Sequence, residues 1–404
     1  MPIYPISISP NDYSGTDTER INQAIQTAAT GCGHVTIPRV NVAGDGARNI
    51  WLLDSAILLP SDITIELQDC HLKLSDACRD NFFRSANCGL GVQTIQPLSN
   101  IHLLGVGNPI LEGADHPRAT GDSAKTLGAN SYGTDAGRAG ESQTGDWRNI
   151  GILLASVENF SIHNLTIIDS HCWAISLEYC AHGILRDIDF RSAGNKIIDG
   201  VQQTLLNQDG IDLRQGCRDI SIENITGYTG DDLIALTGIP HAAAMAGELA
   251  STMISGHNSL PVNERDDICR IVLRNIKGYC QGGHQIVRLL NSSGIRLYDI
   301  IIDGLLDTSP PEVQCYATVR IGDANPKWGG VTPLGDTFRI LITNVIGRSR
   351  HHILLAGSLT DSIIANMICH GGENEPLTLQ SGPEMASNVT LSNVVTSLVK
   401  YARE

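Results

Sequence analysis

Two short runs carry the residue types for acid and base chemistry: Asn207-Gln208-Asp209-Gly210 and Gly230-Asp231-Asp232. Asp209 and Asp231 are 22 residues apart. Between them lie Ile211-Asp212-Leu213, the alternating Ile220-Ser221-Ile222-Glu223-Asn224-Ile225, and Gly227, a pattern of short strands joined by turns. If this segment makes one full circuit of a coil, its two ends stack and three carboxylates converge on one patch. A third element, Cys280-Gln281-Gly282-Gly283-His284, follows a coil later. Neighbouring carboxylates raise one another's pKa, so one acid of such a cluster can hold a proton near neutral pH. Taken singly, Asp209-Gly210 and Gly230-Asp231 read more simply as turns. Taken together with His284 at one-coil spacing, they form a candidate site for acid/base chemistry.

A repeating scaffold must position these residues. Thr16 and Glu19 form a capping-box pattern, and Ile21, Ala24, Ile25 and Ala28 follow at helical spacing until Gly31 and Gly33. Strands begin near Val35-Thr36-Ile37-Pro38, and only an Ala-rich stretch near 241–253 otherwise suggests helix. A small polar residue followed by an aliphatic then recurs: Asn164-Leu165, Asp187-Ile188, Asn224-Ile225, Asn275-Ile276, Asp299-Ile300, Asn344-Val345, Asn366-Met367 and Asn393-Val394. Most intervals are one or two units of 22–24 residues, or one unit plus extra chain near 191–205 or 239–267. That period, with short β segments and no alternating helices, predicts a solenoid, and the Asn and Asp residues are expected as turn formers. A leucine-rich repeat would need a leucine-dominated consensus, which is absent. The expected fold is all-β, a single-stranded parallel β-helix with a short N-terminal capping helix. It is one domain over 1–404, with a cap over 1–34, a long loop over 114–148 and an insertion over 239–267.

Composition agrees with thin stacked layers. The 404 residues are 42% hydrophobic but only 4% aromatic, so the core must be Ile, Leu, Val and Ala. The formal charge of −15 argues against nucleic acid or an anionic membrane as partner, and no run is long enough to span a bilayer. The 11 cysteines show no zinc-ligand spacing and are expected as buried free thiols, which favours a reducing compartment. No signal peptide is visible at Met1-Pro2-Ile3-Tyr4-Pro5, so a cytoplasmic location is expected, or secretion if a signal had been removed. No cofactor or metal is expected, and the oligomeric state is not legible.

The order Asn207-Gln208-Asp209-Gly210, Gly230-Asp231-Asp232, Gly283-His284, Arg320-Ile321 resembles the polygalacturonase-like glycoside hydrolases of family 28. The opening Gly15-Thr16-Asp17-Thr18, leading into Val35-Thr36-Ile37-Pro38, resembles the wider pectinase-type β-helix group. The likeness implies a right-handed, pectin lyase-like β-helix and an inverting, Asp-based hydrolysis of a glycosidic bond. Asp231 would be the general acid, Asp209 and Asp232 would hold and deprotonate water, and His284 would tune the acid or bind substrate. Asn207, Arg288, Arg320, Tyr316 and Trp328 are the expected substrate contacts.

Two departures bear on the substrate. The family's Gly-His-Gly is Gly283-His284-Gln285 here, and its Arg-Ile-Lys is Arg320-Ile321-Gly322, without the lysine. In the family that Arg and Lys bind a galacturonate carboxylate. Arg214, Arg288 or Lys327 could replace the missing cation, although each is expected as a solvated charge. Asp212 is expected either to support Asp209 or to be purely structural, and Trp173 to be a rim or core residue. Gly256-His257 is a rival for the histidine role. The insertion over 239–267 could wall off one end of the groove, which with the free thiols favours exo action on oligosaccharides. The alternatives are a β-helix polysaccharide lyase or sugar transferase, or a non-catalytic carbohydrate-binding β-helix.

Overall fold

A coil of this kind satisfies its backbone only by pairing with the coils above and below it, so the chain winds parallel strands onto one another. The computed structural model describes residues 7–44, 46–78, 80–88, 95–117, 147–239, 264–326, 330–373 and 375–397. Each coil places a long strand in one parallel sheet and a short strand in another. The long strands that frame the site are Val157–Ile168, Ala181–Arg191, Arg218–Thr229, Ile268–Cys280 and Leu297–Asp307. The short ones are Ile175–Glu178, Ile211–Leu213, Ile234–Gly238, Gln285–Asn291 and Ala317–Ile321. This is the expected right-handed parallel β-helix.

The core is a set of aliphatic columns. Ile162, Leu185, Ile222, Leu273, Ile302, Ile342 and Ile364 stack in register through successive long strands. All are essentially inaccessible to water. Each such side chain contributes about 1.5–3 kcal/mol of burial, so the columns fix the register that the polar turns inherit.

The recurrent polar residues bend long strands rather than end them. Asn164, Asp187, Asn224, Asn275, Asn344, Asn366 and Asn393 all have φ between 50° and 57°, in the left-handed region that Asn and Asp tolerate. Their side chains bond along the stack: Asn224 Nδ2 donates to Asp187 Oδ1 at 2.9 Å, and Asn275 Nδ2 to Asn224 Oδ1 at 2.6 Å. Asp299 does not belong to this column. In register, Gly304 takes that place, with φ 80°. Asp299 stands instead in a second left-handed column with Asp219, Arg270 and Arg339, where Arg270 grips Asp219 and Arg339 grips Asp299. Two left-handed bends per coil, one mostly Asn with Asp187 and the other carrying Asp219 and Asp299, make the repeat ambiguous by residue type alone.

The capping helix spans Asp17–Ala29, with Thr16 and Glu19 bonding reciprocally and Ile21, Ala24, Ile25 and Ala28 buried. The extra chain near 191–205 is an antiparallel hairpin, Asn195–Ile198 with Val201–Thr204. Nearly all of the loop over 114–148 and of the insertion over 239–267 lies outside the described residues, as does the Ala-rich stretch. No cysteine forms a disulfide and all but Cys32 are buried, as expected for buried thiols. No helix among the described residues is long and apolar enough to cross a membrane.

A left-handed bend penalises β-branched residues most. Asn275→Val is expected to cost about 1–3 kcal/mol, and Asn275→Gly distinctly less, because Gly304 already serves the same position one coil on. Denaturant midpoints of the two variants check this; equal losses would contradict it.

Candidate active site

The two acidic runs are turns at one corner of the helix, each leading into a short strand, and they stack as the spacing predicts. Gly210 N donates to Asp232 O at 3.0 Å, while Gly230 N and Asp231 N both donate to Gln208 O at 3.0 and 3.2 Å. Gln208 is fully buried and pins neighbouring turns with its side chain. Its Oε1 accepts from Gly194 N at 2.8 Å and its Nε2 donates to Ser170 O at 2.5 Å. Close stacking also leaves no room for a side chain at Gly230, where a Cβ would lie 2.5 Å from Gly194 Cα.

One carboxylate oxygen each from Asp209, Asp231 and Asp232 lies within 4.8 Å of the others. Asp209 and Asp232 are 6% and 1% exposed. The Asp231 side chain keeps 21% exposure, with its Oδ1 3.5 Å from Nδ1 of the more exposed His284. Burial, then Asp212, Asp231 and Asp232, pushes the Asp209 carboxyl well above the usual carboxylate range. Burial and then Asp232 raise Asp231 to about 6, against the opposing pull of His284 and Arg288. Asp232 Oδ1 accepts from Gln285 N at 2.9 Å, and its Oδ2 lies 3.5 Å from Arg288 Nη1. Those are the donor contacts an ionised carboxylate takes. The three oxygens are close enough to share a cation.

The next groups stand in register on the short strands. Asp212, Ala235, Arg288 and Arg320 occupy one column over four successive strands. The small Ala235 opens a cleft there, lined by Trp173, Asn207, the acids, Arg214, Thr237 and Leu290 among others. Asp212 is buried, and burial followed by Asp232 and Asp231 raises its carboxyl well above the usual range although Arg214 opposes this. It therefore belongs to the cluster rather than to the strand alone. Trp173 is 5% exposed and lies under the Arg214 guanidinium at 4.7 Å.

The expectation of solvated arginines is wrong for Arg214 and Arg288. Arg214 is 2% exposed, and its Nε and Nη2 have no hydrogen-bond partner among the described residues. Burial lowers its pKa, while Asp212, Glu178 and Asp209 sustain its charge. Arg288 is raised instead: burial opposes its charge, but Asp232 and Asp323 outweigh it. Both are buried because carboxylates surround them. Tyr316 does not offer a free ring, since Arg320 and Arg350 lie 5.9 and 5.8 Å from its centroid and His351 meets it edge-on. Trp328, Lys327 and His257 lie outside the described residues.

Sequence reasoning missed Asp323. It is 3% exposed, accepts from Arg288 Nη2 at 2.8 Å and forms an ion pair with Arg320 Nη2 at 2.9 Å. Its only signal was its place directly after Gly322, where the lysine was missing.

Arg288 is the shared counter-charge of this array. Arg288→Met is expected to destabilise the protein by about 3–5 kcal/mol near neutral pH, because it strands buried carboxylates. The loss shrinks as pH falls, since protonation neutralises the stranded acids. Urea melts at pH 5 and pH 8 check the sign; a loss independent of pH would contradict it.

The pattern of Glycosyl hydrolases family 28 matches residues 121–257, which include Asp209, Asp231 and Asp232. No curated protein matches the chain. Among solved structures, a polygalacturonase from Erwinia carotovora ssp. carotovora superposes with a TM-score of 0.57 at 14% identity, covering 98% of this chain and 94% of its own. A hyperthermoactive exopolygalacturonase from Thermotoga maritima gives a TM-score of 0.56 at 14% identity, covering 98% and 92%. A tailspike protein mutant of E. coli bacteriophage HK620, in complex with a pentasaccharide, gives 0.56 at 16% identity, covering 96% of this chain and 63% of its own. These likenesses show the β-helix fold, and the family 28 pattern falls on its acidic rungs.

Proposed function

We propose that the protein hydrolyses the glycosidic bond of an oligosaccharide by an inverting, exo-acting mechanism run by Asp209, Asp231 and Asp232. One observation carries the reading: of three clustered carboxyls, the one at the mouth is raised to about 6 and lies beside His284. Asp231 donates its proton to the leaving oxygen. Asp232, facing Arg288, takes a proton from water, and Asp209 helps hold that water. Asn207 lines the cleft beside the acids as a donor for a sugar hydroxyl.

Inversion rests on the family resemblance and on there being two further acids to hold water. Separation does not support it, because the oxygens lie within 4.8 Å, closer than the roughly 6.5–9.5 Å of inverting pairs. Exo action rests on the insertion that begins where Ile239 lines the cleft. Cytoplasmic residence rests on the cysteines forming no disulfide.

Asp231→Asn is expected to abolish turnover with the fold intact, and Asp209→Asn and Asp232→Asn each to cost on the order of 10²-fold or more. In the native protein kcat/KM should fall as pH rises through about 6, because the donor loses its proton, with an apparent pKa that belongs to the cluster. Near-native rates in all three variants would sink the assignment.

The preferred substrate is proposed to be neutral or singly charged rather than long homogalacturonan. Gly322 replaces the family's second cation, and the protein's −15 charge repels polyanions at long range. Polygalacturonate and neutral oligosaccharides, compared over a range of salt concentrations with products resolved by size and anomer, test this. Fast cleavage of polygalacturonate that weakens steeply with salt would show the reading mistaken, and an unsaturated product would indicate a lyase.

A further inference from the structure

Two guanidinium groups from neighbouring rungs, converging on one carboxylate, are an arrangement suited to recognising a uronate. Arg288 and Arg320 form it, standing in register on adjacent strands. The carboxylate they hold is the protein's own Asp323, ion-paired at 2.8 and 2.9 Å and nearly inaccessible. Its other oxygen accepts from Asn325 N at 2.9 Å, which fixes the carboxylate plane.

The backbone keeps it there. Ile321 ends the strand, and Gly322 N donates to Leu289 O at 2.7 Å on the rung before. Gly322 has φ 75°, and a Cβ on it would lie 2.3 Å from Gly357 Cα. No lysine fits at that position without moving the next coil. The chain therefore delivers Asp323, an acid, to a place where a second cation would otherwise act.

We propose that Asp323 is a specificity-determining residue: a built-in counter-ion that fills the anion position between Arg288 and Arg320 and so selects sugars neutral at that position over uronates. This deepens, and rests on, the neutral-substrate reading of the same site. Arg288 and Arg320 already face Asp323 and Asp232, with Asp209 and Asp231 close by. An arriving uronate would add an uncompensated negative charge to a site shielded from water.

The test measures binding, so it stands apart from turnover. Affinities of galacturonate, galacturonamide and galactose are determined by calorimetry for the native protein and for Asp323→Asn, with Asp323→Ser as the second variant should the first fail to fold. The native protein is expected to bind the amide more tightly than the acid. The variant is expected to gain about tenfold or more for galacturonate, lost at high salt, with little change for galactose. Equal galacturonate affinity in native and variant proteins, native preference for the acid, or no sugar binding by any of them would overturn the proposal. Loss of glycosidase activity in the native protein would instead count against the reading of the acids and leave these affinities interpretable.

Discussion

The hydrogen bonds that stack the turn at Gln208, Asp209 and Gly210 on the turn at Gly230, Asp231 and Asp232 are what the site depends on. They are backbone bonds, so they hold whatever the charge state of the acids. The aliphatic columns inside the coil enforce the same register, and slipping it by one residue would turn every core side chain outward. Three carboxyls that repel one another are thereby held within 4.8 Å, by bonds and packing in which the carboxylates take no part.

That constraint sets the electrostatics. Buried like charges are tolerated when some are protonated and others are paired. Here Asp209 and Asp231 are pushed upward by burial and by their neighbours, while Asp232 takes Gln285 N and faces Arg288. Arg288 in turn reaches Asp323, and Asp323 reaches Arg320. The result is a chain of alternating charge that runs along the short-strand column. In the proposed reaction Asp231 at the mouth gives up a proton and Asp232 behind it takes one, the division of labour that hydrolysis of a glycosidic bond requires.

Much of this was legible in the sequence because it depended on spacing. The 22-residue interval between Asp209 and Asp231 falls within one residue of the 23-residue coil that pairs Ile211 with Ile234, and the alternation through Ile220, Ile222 and Ile225 marked the strand between them. What was not legible depended on tertiary placement. Arg214 and Arg288 look like surface charges until the coil sets Asp212, Asp232 and Asp323 around them. Asp299 matched the repeat by type, yet strand register gives its place to Gly304. Asp323 could not be chosen over other acids because the partner that defines it, Arg288, comes from the preceding rung.

The most direct test of the acid assignment is a crystal structure of Asp231→Asn protein soaked with an oligosaccharide that the native protein cleaves. The account predicts the scissile oxygen within hydrogen-bond reach of the residue 231 amide, with a water between Asp209 and Asp232 on the anomeric carbon. A sugar bound with its glycosidic oxygens remote from all three positions would contradict it.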